Sequence, residues 1–181
     1  MARATCCRNS NTSGSNFRVD GLRIRVAAPE DSESISKLIC ELVEKYIANE
    51  FSSQGREFLL STMTADAISQ NIQSGYSYHV SEVKGLLTGV VAVRDNAHLY
   101  HLFVAEQFHR KGIGKKLWQL AMNECLRDGN TGEFTVNSSA YALGMYKKLG
   151  FVAQSGPQEK NGVVFYPMKL IVRGQPCTSS D

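Results

Sequence analysis

The sequence lacks the features that mark membrane proteins and nucleic-acid binders. No apolar run approaches the roughly 20 residues that a membrane-spanning helix needs. The formal net charge of +3 is too small to indicate a nucleic-acid partner by itself. We therefore expect neither a membrane nor a nucleic acid among the partners of this protein.

Cysteine and histidine are also few, and they follow no metal-ligand pattern. The chain has 5 cysteines, an odd number, and none shows the spacing of a metal site. The 4 histidines have no suitably spaced cysteine or acid beside them. This composition predicts reduced thiols, a cytoplasmic location and no bound metal.

The chain has enough apolar residues for one domain with a core. It has 181 residues, of which 43% are hydrophobic. The first twenty are rich in Ser, Asn, Thr and Arg, with no acid before Asp20. We predict a disordered tail at 1–20, one domain at 21–173 and a second disordered tail at 174–181. Two alternatives for the first tail are an organelle transit peptide and lipidation at Cys6 and Cys7.

Apolar periodicity and turn residues predict strands and helices in an α/β order. The predicted strands cover 22–26, 76–83, 86–93, 98–104 and 134–137, with one beginning at 151 and a last one at 163–172. The predicted helices begin near 29, 58, 64, 113 and 140. Residues 76–104 have the pattern of an antiparallel meander. Pro167 within the last strand indicates an edge position or a bulge.

A basic loop with two glycines links the meander to the next helix. The segment from Val104 to Trp118 is VAEQFHRKGIGKKLW. Gly112 and Gly114 have no Cβ, so a ligand can approach the main chain closely. The start of a helix adds free N–H groups and partial positive charge. Full charges come from Arg110, Lys111, Lys115 and Lys116. The loop therefore predicts a phosphate-binding site.

Two segments of the chain resemble the GNAT superfamily of acetyl-CoA-dependent N-acetyltransferases. The first runs from His109 to Gly114 (HRKGIG) and is similar to the acetyl-CoA signature, Arg or Gln, two residues, Gly, any residue, then Gly or Ala. The second runs from Tyr146 to Phe151 (YKKLGF) and resembles the tyrosine helix that Gly-Phe closes. His109 departs from the pattern, and Arg110 could supply the missing contact. The resemblance implies a single-domain fold with flanking helices and a mixed, mostly antiparallel sheet, in which two central parallel strands splay into a V.

The resemblance also implies where acetyl-CoA binds. Its pantetheine arm would lie between the strands that end near Val104 and Asn137, and its diphosphate would lie on the glycine loop. The implied cofactor-binding residues are Leu102, Phe103, Val104, His109, Arg110, Lys111, Gly112, Ile113, Gly114, Lys115, Asn137 and Tyr146. Asn137 could also cap the helix that begins near Ser139.

The matched positions also suggest an acid for the reaction and a base. Tyr146 could give a proton or a hydrogen bond to the departing thiolate, although it could equally be a core tyrosine. His98 falls where the histone-acetylating branch of the family has its glutamate base. The serotonin-acetylating branch has histidines at the positions of both His98 and Tyr100. Histidine titrates near neutral pH and suits this task, but His98 could also be a strand-end histidine satisfied by water.

Strand alternation predicts which side chains lie together near this base. His98 and Tyr100 should share one face, while Leu99 and His101 share the other. Two acids, Glu82 and Glu106, are the reserve bases.

The implied activity is direct transfer of acetyl from acetyl-CoA to the primary amine of a small molecule or peptide, by a monomer or homodimer. One alternative is a non-catalytic acyl-CoA sensor with the same fold. A nucleotide or nucleic-acid binder is disfavoured, because a Walker box needs more residues between its glycines and a Lys-Ser/Thr pair after them.

Overall fold

The computed structural model describes residues 20–172, so the predicted tails lie outside the described residues except for Asp20. The strands are β1 (Leu22–Val26), β2 (Ser77–Val83), β3 (Leu86–Arg94), β4 (His98–Val104), β5 (Glu133–Ser138), β6 (Val152–Ala153), β7 (Gln158–Lys160) and β8 (Val163–Ile171). The helices are α1 (Ser32–Tyr46), α2 (Ser53–Ser61), α3 (Ala65–Gln73), α4 (Ile113–Arg127) and α5 (Leu143–Lys148). Short 3₁₀ turns lie at Pro29–Asp31, Ala48–Glu50 and Glu106–Phe108.

The strands form one open sheet in the order β1-β2-β3-β4-β5-β8-β6, with β7 paired to β8. All pairs are antiparallel except β4 with β5. That parallel ladder holds only at His98 with Thr135 and at Leu99 with Val136. Beyond these two pairs the strands diverge, which confirms the V-shaped splay. The antiparallel pairing of β2, β3 and β4 confirms the predicted meander.

The sheet separates two apolar cores, one on each face. The first lies under α4 and α5 and includes Leu99, Leu102, Trp118 and Tyr146. The second lies under α1, α2 and α3 and includes Ile39, with Tyr100 and Phe103 packed against it. Alternating side chains along each strand supply both cores. We refer to the two sides as the α4 face and the α1 face.

A bulge in β4 changes the predicted pattern of faces. His101 pairs with Ala92, but Leu99 pairs with Val93, so Tyr100 is an extra residue without an opposite partner. Two residues of β4 therefore point to the same side at this position. The predicted separation of His101 from Tyr100 is wrong: their rings lie together, with centroids 4.4 Å apart.

Two helix boundaries differ from the prediction. α2 begins at Ser53, five residues before position 58, because the Ser52 hydroxyl accepts a hydrogen bond from the Gly55 N–H at 3.1 Å. α5 begins at Leu143, because residues 139–142 form a turn before it. Local caps and turns set these ends, and apolar periodicity does not detect them.

The predicted bulge at Pro167 is absent from the pairing with β5, but the predicted edge is found locally on the other side of β8. β8 has strand neighbours on both sides, and its pairing with β5 runs through Pro167 without a register shift. On the other side, β6 ends its pairing at Met168 and β7 begins at Phe165. The missing proline N–H is tolerated because Pro167 lies between these two partners.

Within residues 20–172, every helix is either too short or too polar to cross a lipid bilayer.

Candidate active site

The site begins with the strand edge that the V leaves unpaired. β3 pairs with β4 through Val104, whereas β5 pairs with it only as far as Leu99. Backbone groups of Leu102, Phe103 and Val104 that face β5 therefore have no strand partner. An extended ligand with amide groups can hydrogen-bond to such an edge as an added strand would.

The glycine loop lies directly after this edge, at the start of α4. Arg110 and Gly112 have positive φ angles of 59° and 78°. Left-handed residues in a turn can direct successive N–H groups toward one side and form an anion-binding concavity. Gly112 is the N-cap of α4, and no side chain caps this helix. The first N–H groups of α4, at Ile113 and the residues after it, therefore remain available to a ligand.

Side-chain packing does not explain the two glycines of the loop. A Cβ on Gly112 would meet no protein atom within 4 Å, and one on Gly114 would meet only Val104, at 3.6 Å. Packing therefore does not require glycine at either position. Gly114 also lies inside a helix, where glycine costs about 1 kcal/mol relative to alanine.

His109 has a different contact from the one that the resemblance implied. Its Nε2 lies 2.7 Å from the carbonyl oxygen of Val104, to which the ring donates a hydrogen bond. This bond ties the loop to the end of β4. Lys111 lies over the ring of Phe108, with Nζ 5.0 Å from the centroid. Lys115 lies farther along α4 and lines a groove with Lys148.

Tyr146 is brought to the α4 face of the cleft. It is 7% exposed and packs edge-on against Phe151, with ring centroids 5.7 Å apart. Burial raises the pKa of the phenol. The hydroxyl therefore stays protonated across the neutral range, as a proton or hydrogen-bond donor requires. The same contacts make it a core residue, so both predicted roles are compatible with this position.

His98 lies at the apex of the V, where β4 and β5 still pair. Its Nδ1 is 2.8 Å from the hydroxyl oxygen of Thr135 on β5. Burial, followed by the charge of Arg94, lowers the pKa of His98. The ring is therefore neutral at pH 7, and the contact at Nδ1 leaves Nε2 for another partner.

Tyr100 and His101 lie on the α1 face beside this apex. The Tyr100 ring packs edge-on against Tyr76, with centroids 5.3 Å apart, and burial raises its pKa. His101 is 3% exposed, and its Nδ1 is 3.2 Å from the Tyr78 hydroxyl. Burial lowers the pKa of His101 to about 3. His101 is thus a neutral, hydrogen-bonded core residue.

Asn137 is exposed at the end of β5 and does not cap the following helix. The Ser139 hydroxyl instead accepts a hydrogen bond from the Ala142 N–H at 3.2 Å. The Glu50 carboxylate accepts from the N–H groups of Ala140 and Tyr141, each at 3.1 Å. The sequence does not predict this contact of Glu50, because 90 residues separate it from its nearer partner.

The reserve bases are both engaged in ion pairs. Glu82 pairs with Arg25, which links β2 to β1. Glu106 pairs with Lys45 and accepts a hydrogen bond from the Tyr46 hydroxyl at 2.6 Å. These contacts, with Lys45 first, lower the pKa of Glu106 and make it a weak base. Among residues 20–172, no group of three His, Cys, Asp or Glu side chains could hold a metal ion.

Comparison with known proteins agrees with this geometry. The model of the acetyltransferase (GNAT) domain matches residues 47–172. A sequence search of curated proteins finds no match.

Three solved structures are similar in fold. A GCN5-related N-acetyltransferase from Rhodopseudomonas palustris is 19% identical, with a TM-score of 0.71 over 83% of this chain and 95% of that one. The PaiA N-acetyltransferase from Thermoplasma acidophilum, solved with coenzyme A, is 18% identical, with a TM-score of 0.68 over 83% and 99%. YncA from Salmonella typhimurium, solved with acetyl-CoA, is 21% identical, with a TM-score of 0.59 over 88% and 99%.

The family model spans both signature segments, the V-shaped cleft and the uncapped start of α4, so the chain belongs to the GNAT family of acetyltransferases.

Proposed function

We propose that this protein transfers an acetyl group directly from acetyl-CoA to a primary amine, with both substrates bound at once. The observation that carries the proposal is a pair of neighbouring backbone surfaces. One is the edge of Leu102–Val104 that β5 leaves unpaired, and the other is the start of α4 after Gly112, which no side chain caps. The first part suits the amide groups of a pantetheine arm, and the second suits a diphosphate.

The residues around the cleft can perform the steps of such a transfer. The backbone N–H groups of β4 can polarise the thioester carbonyl. Tyr146 stays protonated because burial raises its pKa, so it can donate to the departing sulfur. His98 is neutral at pH 7, so its Nε2 can accept the proton of the attacking ammonium, directly or through one water.

Thr135 supports His98 in this role. When the Nδ1–H of His98 donates to the Thr135 oxygen, the lone pair is at Nε2, where a base needs it. Asn137 and the loop from His109 to Lys115 remain proposed cofactor contacts.

Two measurements test the proposal. Acetyl-CoA, but not ATP, should raise the melting temperature. Thiol release from acetyl-CoA should then be screened against amines, polyamines, amino acids and peptides. Stabilisation by acetyl-CoA without turnover on any acceptor would favour a non-catalytic acyl-CoA sensor. Equal stabilisation by ATP would contradict the assigned loop.

A further inference from the structure

A cavity of about 280 Å³ lies at the C-terminal end of α4, on the α4 face of the sheet. Its walls come from the turn before β2, the end of β3, the turn between β3 and β4, and the last residues of α4. The glycine loop lies at the other end of the same helix, whose 15 residues rise about 22 Å along its axis. The cavity is therefore separate from the proposed cofactor site.

The end of α4 and the β3–β4 turn bring hydrogen-bond acceptors to this cavity. Glu124 and Asp128 both line it and are four residues apart on the helix, so their carboxylates lie on the same side of α4. Asn96 uses its Nδ2 to donate to the carbonyl oxygens of Cys125 and Asp128, at 3.3 Å and 3.1 Å. The Oδ1 of the same amide is an acceptor, and the C-terminus of the helix adds partial negative charge. A complementary ligand therefore carries N–H donors and a positive charge.

The negative charge of Glu124 is only weakly compensated by the residues around it. The Nη2 of Arg127 lies 3.7 Å from Oε1 of Glu124, and the Arg127 side chain is 74% exposed, so solvent screens this pair. Cys125 adds no charge, because burial, with the charges of Asp128 and Glu124, raises the pKa of its thiol to about 11. The cavity therefore has a carboxylate wall that attracts a cation.

His79 of β2 is a second, independent sign of a ligand at this cavity. It is 3% exposed, and neither ring nitrogen has a hydrogen-bond partner in the part of the chain that the structure describes. Its Nε2 lies 2.9 Å from Oε2 of Glu124, so the ring faces the carboxylate of the cavity wall without the alignment of a hydrogen bond. Burial lowers the pKa of His79 against the opposing charge of Glu124, so the neutral ring does not cancel that charge. Because buried polar side chains are nearly always paired, this arrangement indicates a group supplied from outside the chain.

We propose that this cavity binds a small organic cation with N–H donors, an alkylammonium or alkylguanidinium group, held by Glu124 and Asp128. Two carboxylates can accept several N–H donors of such a group in charge-assisted hydrogen bonds. Among residues 20–172, no three His, Cys, Asp or Glu side chains are placed to hold a metal ion, so the cavity suits an organic cation instead. Its volume limits the ligand to a small molecule. The inference does not depend on acetyl transfer, because the cavity lies at the far end of α4 from the glycine loop.

The test is an NMR titration of the full chain, without acetyl-CoA, with methylguanidinium and with tetramethylammonium. Methylguanidinium has N–H donors but no primary amine, whereas tetramethylammonium has the same charge and no donors. Methylguanidinium should shift the ring signals of His79, identified with His79→Gln, in a saturable way and with at least about tenfold higher affinity than tetramethylammonium. No saturable shift, or an equal response to the two cations, would overturn the inference. Acetyl transfer is measured separately by thiol release, so either proposal can fail while the other stands.

Variants locate the bound cation at the end of α4. Glu124→Gln and Asp128→Asn keep the size of each side chain and remove its charge, so each should weaken methylguanidinium binding by about tenfold or more. Glu41→Gln removes an exposed carboxylate from α1 and is the matched control, which should keep the affinity of the unaltered chain. Asp128 is exposed, so Asp128→Asn keeps the test valid even where Glu124→Gln disturbs the fold. Affinities equal to that of the control, in variants that melt cooperatively, would show that the cation does not bind in this cavity.

Discussion

The two faces of the sheet differ in how their functional parts are encoded. On the α4 face, the glycine loop and Tyr146 come from short continuous segments whose chemistry depends on neighbours in sequence. On the α1 face, Tyr46 and Glu50 contact residues that lie 60 to 91 positions later in the chain. The comparison teaches that the glycine loop and the tyrosine helix are encoded locally, whereas the contacts across the α1 face are tertiary.

The largest effect is expected from a substitution that blocks the locally encoded glycine loop. Gly112→Glu forces a Cβ into a residue with φ of 78° and adds a negative charge where a diphosphate should bind. We expect acetyl-CoA affinity to fall more than about a thousandfold, measured by calorimetry.

Gly129→Glu is the matched control for this change. Gly129 has a φ of 88° and equally open space, but it lies at the other end of α4. It should carry the same backbone strain and keep cofactor affinity. Equal loss in both variants would mean that strain, and not the loop, explains the result.

His98 lies at the apex of the V, between the two sides. If it is the base, kcat/KM should fall as pH drops through its pKa, because only the neutral ring accepts a proton. Burial and Arg94 lower that pKa, so this acid limb lies below pH 6.5. His98→Gln should reduce kcat/KM by about a hundredfold and remove the limb.

Thr135→Val sharpens the assignment of His98. It removes the contact at Nδ1 but keeps the shape of the side chain, so the midpoint of the limb should move while the fold is retained. A pH profile that neither variant alters would exclude His98 as the base.

The contact between α2 and the β7–β8 turn tests the tertiary side by stability. Gly55→Ala places a Cβ 2.0 Å from a backbone oxygen, so the backbones must separate. We expect a loss of about 2 kcal/mol in the free energy of unfolding, measured with urea. Gly144→Ala is the control: it lies in α5 with no atom within 4 Å of the new Cβ, and it should be neutral or stabilising. Equal stabilities would show that α2 is not tightly packed on that turn.

The buried histidine on the α1 face predicts a smaller effect that depends on pH. The pKa of His101 is lowered from 6.5 to about 3 by burial, so the unfolded chain binds a proton that the folded chain refuses. The contribution of the neutral His101 to the free energy of unfolding should therefore be fully present above pH 6.5. At lower pH the free energy of unfolding should fall by up to about 1.4 kcal/mol per pH unit. His101→Gln should flatten this slope in pH-dependent urea unfolding; an unchanged slope would place the titration elsewhere, with His79 beside Glu124 the next group to test.

The limits of sequence prediction follow the same division. Periodicity predicted the meander and the helix after the glycine loop, because each depends on nearby residues. It placed His101 on the wrong face because one extra residue in β4 reverses the alternation after Tyr100. It gave the helix cap to Asn137, whereas Ser139 and the distant Glu50 hold that turn. The proposed cofactor contacts at the glycine loop match a motif in the sequence, whereas no short sequence pattern predicts the contacts of Tyr46.

The short ladder between β4 and β5 also has a mechanical consequence. Two residue pairs are all that join the meander to the β5–β8 sub-sheet edge to edge, so most of the attachment between these two halves comes from the core under α4, which contains Leu99 of β4 and Phe134 of β5. The end of α1 is a further link between the same two halves, because Tyr46 contacts Glu106 after β4 and Tyr141 after β5. A longer or shorter segment between α1 and α2 would change how the open end of the V is held, without any change in the residues proposed to do the chemistry.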